Sequence, residues 1–178
     1  FAYGEGVKKD FEEAVKWYTK AALDGNEWAQ NKLANCYYYG DGVEQDEAKA
    51  VEYFTKSAEA GNKNSMNRLG DCYNYGRGVE QDYQQAINWY QQAALAGHHI
   101  AKYNLGNCYY NGNGVEQDYQ QAINWYQQAA EQNIEGAMNK LGECYQYGYG
   151  VEQDYQQAIN WYQKAAEKGN GWAQDMLG

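Results

Sequence analysis

Val79-Glu80-Gln81-Asp82-Tyr83-Gln84-Gln85-Ala86-Ile87-Asn88-Trp89-Tyr90-Gln91-Gln92-Ala93-Ala94 decides the fold of this chain. The same stretch returns without a change from Val115 to Ala130, and again from Val151 to Ala166 with one change, at Lys164. Two looser copies begin at Val7 and Val43, and all five starts lie 36 residues apart. A fixed period of this length marks an array of repeated supersecondary units. The expected boundaries are full repeats at 7–42, 43–78, 79–114 and 115–150, with a partial repeat at 151–178. Residues 1–6 match the end of a helix and the turn that follows it in later copies, so they read as the remnant of an upstream repeat.

Each copy carries its own helix signals. Asp10, Asp46, Asp82, Asp118 and Asp154 are N-caps whose carboxylates can accept from first-turn amides. Glu13, Gln85, Gln121 and Gln157, three residues on, suggest a capping box, which Lys49 breaks in the second repeat. Behind the cap, Tyr83, Ala86, Ile87 and Tyr90 fall at i, i+3, i+4 and i+7, as Phe11, Ala14, Val15 and Tyr18 do. That spacing is one apolar stripe of a helix. Gly25, Gly61, Gly97 and Gly169 end these helices in the left-handed conformation, with Asn133 as the substitute in the fourth repeat.

A second helix follows directly. Its stripe is Ala29-Leu33-Cys36-Tyr37 in the first repeat and Ala101-Leu105-Cys108-Tyr109 in the third. Gly70, Gly106 and Gly142 follow the Leu where helices pack closely. The helix ends at Gly40, Gly76, Gly112 or Gly148, and a Gly-X-Gly-Val turn leads to the next Asp cap. Helices are therefore expected near 10–24, 26–39, 46–60, 62–75, 82–96, 98–111, 118–132, 134–147 and 154–168, with no strand. One such pair cannot bury its apolar face alone, and stacked neighbours can. The fold class is all-α, an α/α superhelix (solenoid) of antiparallel helix pairs, right-handed, with one helix of each pair lining a concave side.

The pattern Ala101, Leu105, Gly106, Tyr109, Gly112, Gly114, Val115, Asp118, Ala122, Trp125, Tyr126, Ala129 and Ala130 resembles the Sel-1-like repeat, a relative of the tetratricopeptide repeat. The resemblance covers nearly the whole chain. It implies an α-solenoid adaptor for protein complexes. The first two repeats depart most: Tyr53-Phe54 stands for Trp-Tyr, Ser57 for Ala and Ala34 for Gly. Some bacterial members carry two cysteines per repeat, bridged within the helix pair, and are linked to β-lactam binding. Here there is one cysteine per repeat: Cys36, Cys72, Cys108 and Cys144. Equivalent positions in stacked helices lie on the order of 10 Å apart, beyond the roughly 7 Å that a disulfide spans. Four free thiols on a Leu–Tyr stripe are expected, acting as small buried hydrophobes. Unpaired thiols lean toward a reducing compartment, but they leave localisation open.

Catalytic and metal constellations do not emerge. The serines are Ser57 and Ser65, and neither opens a Ser-x-x-Lys motif; Ser57 in place of a helix Ala reads as packing. His98 and His99 are adjacent at a helix start, so they point apart and fit surface or capping use better than one metal. The Gly-X-Gly turns follow helices, not strands, and the Glu and Asp behind them already occupy the helix start. No enzyme, cofactor or metal is expected. The net charge of −10 repels phosphate backbones, which argues against nucleic acid. No apolar run approaches the 18 or so residues of a membrane span, and no charged-then-apolar leader opens the chain.

A protein or peptide partner remains the expectation. Repeat-variable positions on the second helix, offset from its Leu-Gly pair, correspond by the resemblance to the ligand-facing positions of the tetratricopeptide relative. They are Trp28, Asn31, Asn35, Tyr38 and Tyr39; Asn64, Asn67, Asp71, Asn74 and Tyr75; Ile100, Tyr103, Asn107, Tyr110 and Asn111; Gly136, Asn139, Glu143, Gln146 and Tyr147. Lys32, Arg68 and Lys140 fall beside them. Asn offers donor and acceptor to an extended backbone, and Tyr offers rigid contact area. Tyr103, Asn107 and Tyr110 share a face, and truncating the two tyrosines is expected to cost binding but little stability. A glycan groove is the alternative, with a β-lactam-binding or β-lactam-hydrolysing relative behind it. Uncapped terminal repeats would also allow end-to-end self-association.

Overall fold

The computed structural model describes residues 10–169 and Gly171. Among the described residues there are nine helices and no strand. They fall into two compact units, with the division after Ala96. The first holds α1 (Phe11–Leu23), α2 (Glu27–Tyr39), α3 (Glu47–Glu59), α4 (Lys63–Tyr75) and α5 (Tyr83–Leu95). The second holds α6 (His99–Asn111), α7 (Tyr119–Ala130), α8 (Glu135–Tyr147) and α9 (Tyr155–Glu167). Every expected helix is present within a residue or two of its expected ends. α7 departs most, stopping at Ala130 before Asn133 takes a φ of 61°.

The aspartates cap as expected. Asp10, Asp46, Asp82, Asp118 and Asp154 each accept the amide of the residue three positions on. The reciprocal half of the capping box does not form. The amides of Asp46, Asp82, Asp118 and Asp154 donate instead to the carbonyls of Tyr37, Tyr73, Tyr109 and Tyr145, each at 2.9 Å. The backbone of the preceding helix thus takes the donor that the Gln side chain was expected to take.

The glutamine of each Val-Glu-Gln-Asp turn has a structural use. Gln45, Gln81, Gln117 and Gln153 donate through Nε2 to the carbonyls of Tyr38, Asn74, Tyr110 and Gln146, at 2.7 to 3.0 Å. These are last-turn carbonyls that the helix itself leaves unpaired. The second glycine of the turn is required by contact as well as by its φ. A β-carbon on Gly78 would lie 2.2 Å from the Glu47 carbonyl oxygen.

Within each unit the more extensive packing runs across the Gly-X-Gly turn, α2 on α3, α4 on α5, α6 on α7 and α8 on α9. The core of the first unit includes Leu33, Ala34, Ala50, Phe54 and Leu69; that of the second includes Ala122, Ile123, Tyr126, Leu141 and Cys144. Burial of the Leu, Ile and Phe side chains among them contributes on the order of 1.5–3 kcal/mol each. The first member of the odd-helix stripe falls outside this core. Tyr83 and Tyr155 are exposed, and both accept from the turn glutamine. At the first helical position the side chain lies over the turn, not over the neighbouring helix.

All four cysteines are buried and unpaired, as the stacking argument requires. Burial pushes the thiols up, Cys72 and Cys144 to about 12 and Cys108 to about 11. His98 caps α6 through Nδ1, which accepts the Ala101 amide at 3.2 Å. Ser57 does more than pack: its hydroxyl donates to the Glu27 carbonyl at 2.7 Å. Among the described residues no helix is long and apolar enough to cross a membrane.

Candidate interaction surface

The expected binding positions lie on the even-numbered helices. Ten of them belong to α2 and α4 of the first unit, and ten to α6 and α8 of the second.

In the first unit, Trp28 is half exposed, with the edge of Tyr18 against it and Lys32 Nζ 5.3 Å above its ring. Asn31 is buried, contrary to an exposed contact role. Its Nδ2 donates to Ser65 Oγ at 2.7 Å, and Ser65 Oγ is bonded in turn to Ser57 Oγ at 2.8 Å. Asn35 Nδ2 donates to the Asn31 carbonyl at 2.7 Å. Tyr38 is buried against Phe54 and Tyr39, and its hydroxyl is bonded to Arg77 Nη1. Asn67 is buried beside Asp71. Asp71 Oδ1 accepts the Tyr90 hydroxyl at 2.9 Å. Burial pushes its carboxyl up, opposed by that bond and by Arg68 and Arg77. Asn74 is partly buried, and its carbonyl is held by Gln81.

In the second unit, the Tyr103 ring packs 5.9 Å from that of Tyr126 and touches the space above Gly136. Asn107 Oδ1 accepts the Tyr126 hydroxyl at 2.8 Å. Tyr110 donates to Glu143 Oε1 at 2.7 Å, with Lys140 Nζ 4.6 Å above its ring and 2.7 Å from Glu143 Oε2. Burial first, and Glu143 second, push the Tyr110 hydroxyl far above its ordinary value. Gln146 Oε1 accepts the Tyr162 hydroxyl at 2.7 Å. Asn139 is partly buried, and its Oδ1 has no hydrogen-bond partner among the described residues.

The expectation that Tyr103 and Tyr110 are dispensable for stability is therefore corrected. Both pack on the core of the second unit. Residues at i, i+4 and i+7 do share a face of α6, but α7 and α8 cover much of it. Other side chains of these helices remain accessible: Trp28, Tyr39 and Tyr75 in the first unit, and Ile100 and Tyr147 in the second, are all half exposed or more. Beside Tyr39 lies a cleft of about 260 Å³, also lined by Tyr18, Lys32, Asn35 and Cys36.

Two side chains missed by the sequence reading join these accessible side chains. Arg77 is the X of its Gly-X-Gly turn and lies 5.8 Å from the Tyr38 centroid and 5.7 Å from that of Tyr75. Tyr149, at the same place in a later turn, stacks on Tyr119 at 5.1 Å and packs on Tyr147 and Tyr110. The signal was present: X is Asp41, Arg77, Asn113 and Tyr149 in turns that otherwise repeat.

Repeated helix pairs with these glycine turns and aspartate caps define an all-α solenoid of the Sel1 class. The chain belongs to the Sel1 repeat family, which matches it over 1–26, 29–62, 63–98, 99–134 and 136–170. Sel1-repeat proteins are generally protein-interaction scaffolds and not catalysts. Solved structures share the fold. A protective antigen of uropathogenic Escherichia coli strains with this fold is 40% identical, with a TM-score of 0.89, over 96% of this chain and 37% of the antigen. A Sel1 repeat protein from Oxalobacter formigenes is 34% identical, with a TM-score of 0.91, over 97% of this chain and 68% of its own. Helicobacter pylori cysteine rich protein B is 26% identical, with a TM-score of 0.59, over 78% of this chain and all of its own. The chain thus spans little more than a third of the antigen's length. No curated protein matches it by sequence.

Proposed function

We propose that this chain is a scaffold that docks segments of a protein partner on the exposed large side chains of its even-numbered helices, those of α2 and α4 in the first unit and those of α6 and α8 in the second. One observation carries the reading. The exposed large side chains of those helices fall at two positions of the repeat: one changes every time, as Trp28, Asn64, Ile100 and Gly136, and the other keeps an exposed tyrosine in three of four repeats, as Tyr39, Tyr75 and Tyr147, with Asn111 in the remaining one. The odd helices α5, α7 and α9 instead present nearly the same Gln and Asn exterior three times. A repeated polar surface cannot discriminate along its length; here the tyrosine position supplies contact area and the Trp28/Ile100 position supplies the difference between repeats. Aromatic side chains also supply much of the contact energy at protein interfaces.

The test is a titration of the whole chain against pooled peptides and, separately, against pooled oligosaccharides. Peptide binding is expected, lost in the variants Trp28→Ala and Tyr75→Ala without a change in melting temperature, because both side chains are largely in solvent. Binding of sugars in place of peptides would sink the protein-docking reading.

A further inference from the structure

Resting on that docking reading, we propose that the segment received by α2 and α4 is acidic, its carboxylates meeting Arg77 and Arg68 on the aromatic shelf of Tyr38, Tyr39 and Tyr75. The charge of Arg77 is felt by Asp71 and Glu47 nearby, but neither carboxylate is in contact with it. Its hydrogen bond goes to a neutral hydroxyl, that of Tyr38, and among the described residues it makes no ion pair within 4.0 Å. A guanidinium has five donors in a fork that matches a carboxylate. Held over two tyrosine rings, it also loses less freedom on binding than a side chain loose in water.

Arg68 extends the same shelf. It lies 5.9 Å from the Tyr39 centroid and reaches Asp71 Oδ2 only at 3.7 Å, with its side chain 39% exposed. Such a pair contributes little, and the other oxygen of Asp71 is already bonded to Tyr90. Tyr39 and Tyr75 are 53% and 65% exposed, which leaves apolar ring area between the two cations for the backbone and apolar groups of a bound segment.

Neither cation is needed for the fold. The position of Arg77 holds Asp41, Asn113 or Tyr149 in other turns, and that of Arg68 holds Lys32, Asn104 or Lys140 on other helices. All of them form the same structure. In a chain of net charge −10, cations gathered on one shelf are set against acidic helix starts such as Glu80 and Asp82, which are exposed. That contrast favours an acidic stretch on the shelf and repels it from the helix starts. A long polyanion would meet the whole net charge and be disfavoured.

The experiment is fluorescence anisotropy on the full chain with three labelled peptide pools of equal length and equal aromatic content. One is rich in Asp and Glu, one carries Asn and Gln at those places, and one carries Lys. A labelled oligothymidylate is the fourth probe. The acidic pool is expected to bind, more weakly as salt rises. The double variant Arg68→Gln, Arg77→Gln should lose about tenfold in affinity while it keeps its helical circular dichroism and a cooperative melt, lowered only by the lost bond to Tyr38, and Arg77→Lys alone should retain part of the binding. The proposal is overturned if the amide pool binds as well as the acidic one, or if the double variant binds the acidic pool normally. It is equally overturned if the oligonucleotide outcompetes the acidic pool for the same arginines. If the amide pool binds and Tyr75→Ala abolishes it, protein docking stands and acid selection falls. If no peptide pool binds, both fall.

Discussion

The ring of Tyr126 occupies the space that a side chain on Gly106 would need: a β-carbon there would stand 2.4 Å from the ring. Gly70 meets Tyr90 and Gly142 meets Tyr162 in the same way. The Tyr126 hydroxyl fixes that position by donating to Asn107. The first repeat solves the problem differently, with Ala34 opposite Phe54, both fully buried. Phenylalanine has no hydroxyl tether, so its ring can withdraw by the width of a methyl group.

Gly106→Ala should therefore destabilise the protein by about 1–3 kcal/mol through overpacking, less whatever helix propensity returns. Adding Tyr126→Phe should recover part of that loss. The double variant would then be more stable than the sum of the single effects requires. Denaturant melts of the two single variants and the double variant measure this. Strict additivity would show that the ring does not withdraw.

The buried chain Asn31–Ser65–Ser57–Glu27 gives a second expectation. Ser65→Ala leaves the buried Asn31 amide without its acceptor and removes the donor to Ser57 Oγ, which still donates to the Glu27 carbonyl. A loss of about 1–3 kcal/mol follows from the unsatisfied amide. Ala occupies the equivalent positions Ala29, Ala101 and Ala137, so the cost cannot come from the helix itself. Exchanging Asn31, Ser57 and Ser65 together for apolar residues should cost less than Ser65→Ala alone, and equilibrium unfolding would show it.

Alkaline pH should unfold the protein. In the native state burial holds the Cys72 and Cys144 thiols to about 12 and Cys108 to about 11, against an ordinary value of 9.0. Between those values the unfolded chain has released protons that the native state keeps. Stability is therefore full below the ordinary thiol range and falls as pH rises through it toward the native values. The buried Tyr162, pushed up to about 12, acts in the same direction. A pH series of melts should show this limb, shallower after all four cysteines are replaced by Ala. Alkylation should modify four thiols in denaturant and very few without it.

The fold was legible because its signals are local and repeated. Asp82, Gly97, Leu105 and Gly112 each state a cap, a stop or a core position at a known spacing, and the period confirms each reading five times. The accessible surface was legible only in part. Asn31, Tyr38 and Asn67 looked like contact residues because they lie offset from the Leu-Gly pair, yet neighbours take them up: Asn31 bonds to Ser65, Tyr38 packs on Phe54 and bonds to Arg77, and Asn67 sits beside Asp71. Which flank of a helix a neighbour covers depends on packing between repeats, and spacing within one helix does not carry that information. The contacts of Arg77 and Tyr149 were not legible, because the flanking glycines specify the backbone of the turn and leave the side chain between them unconstrained.

Stability and binding should separate along this same line. Tyr110 is pinned by Glu143, by the rings of Tyr119, Tyr126 and Tyr149, and by Lys140 above it. Tyr110→Ala and Tyr103→Ala are expected to destabilise by about 1–3 kcal/mol, and Leu105→Ala by about 2–5 kcal/mol. Tyr110→Phe keeps the ring and loses only the bond to Glu143, so about 0.5–1.5 kcal/mol is expected. Tyr147→Ala, whose ring is more than half in solvent, should leave the melt unchanged and remove affinity for any segment docked on α8. A paired melt and binding titration on these five variants decides the matter. If Tyr110→Ala melts like the parent, its contacts are worth little and the tyrosine returns to the accessible surface. If Tyr147→Ala is as damaging to the fold as Leu105→Ala, that tyrosine is core after all and has no surface to offer a partner.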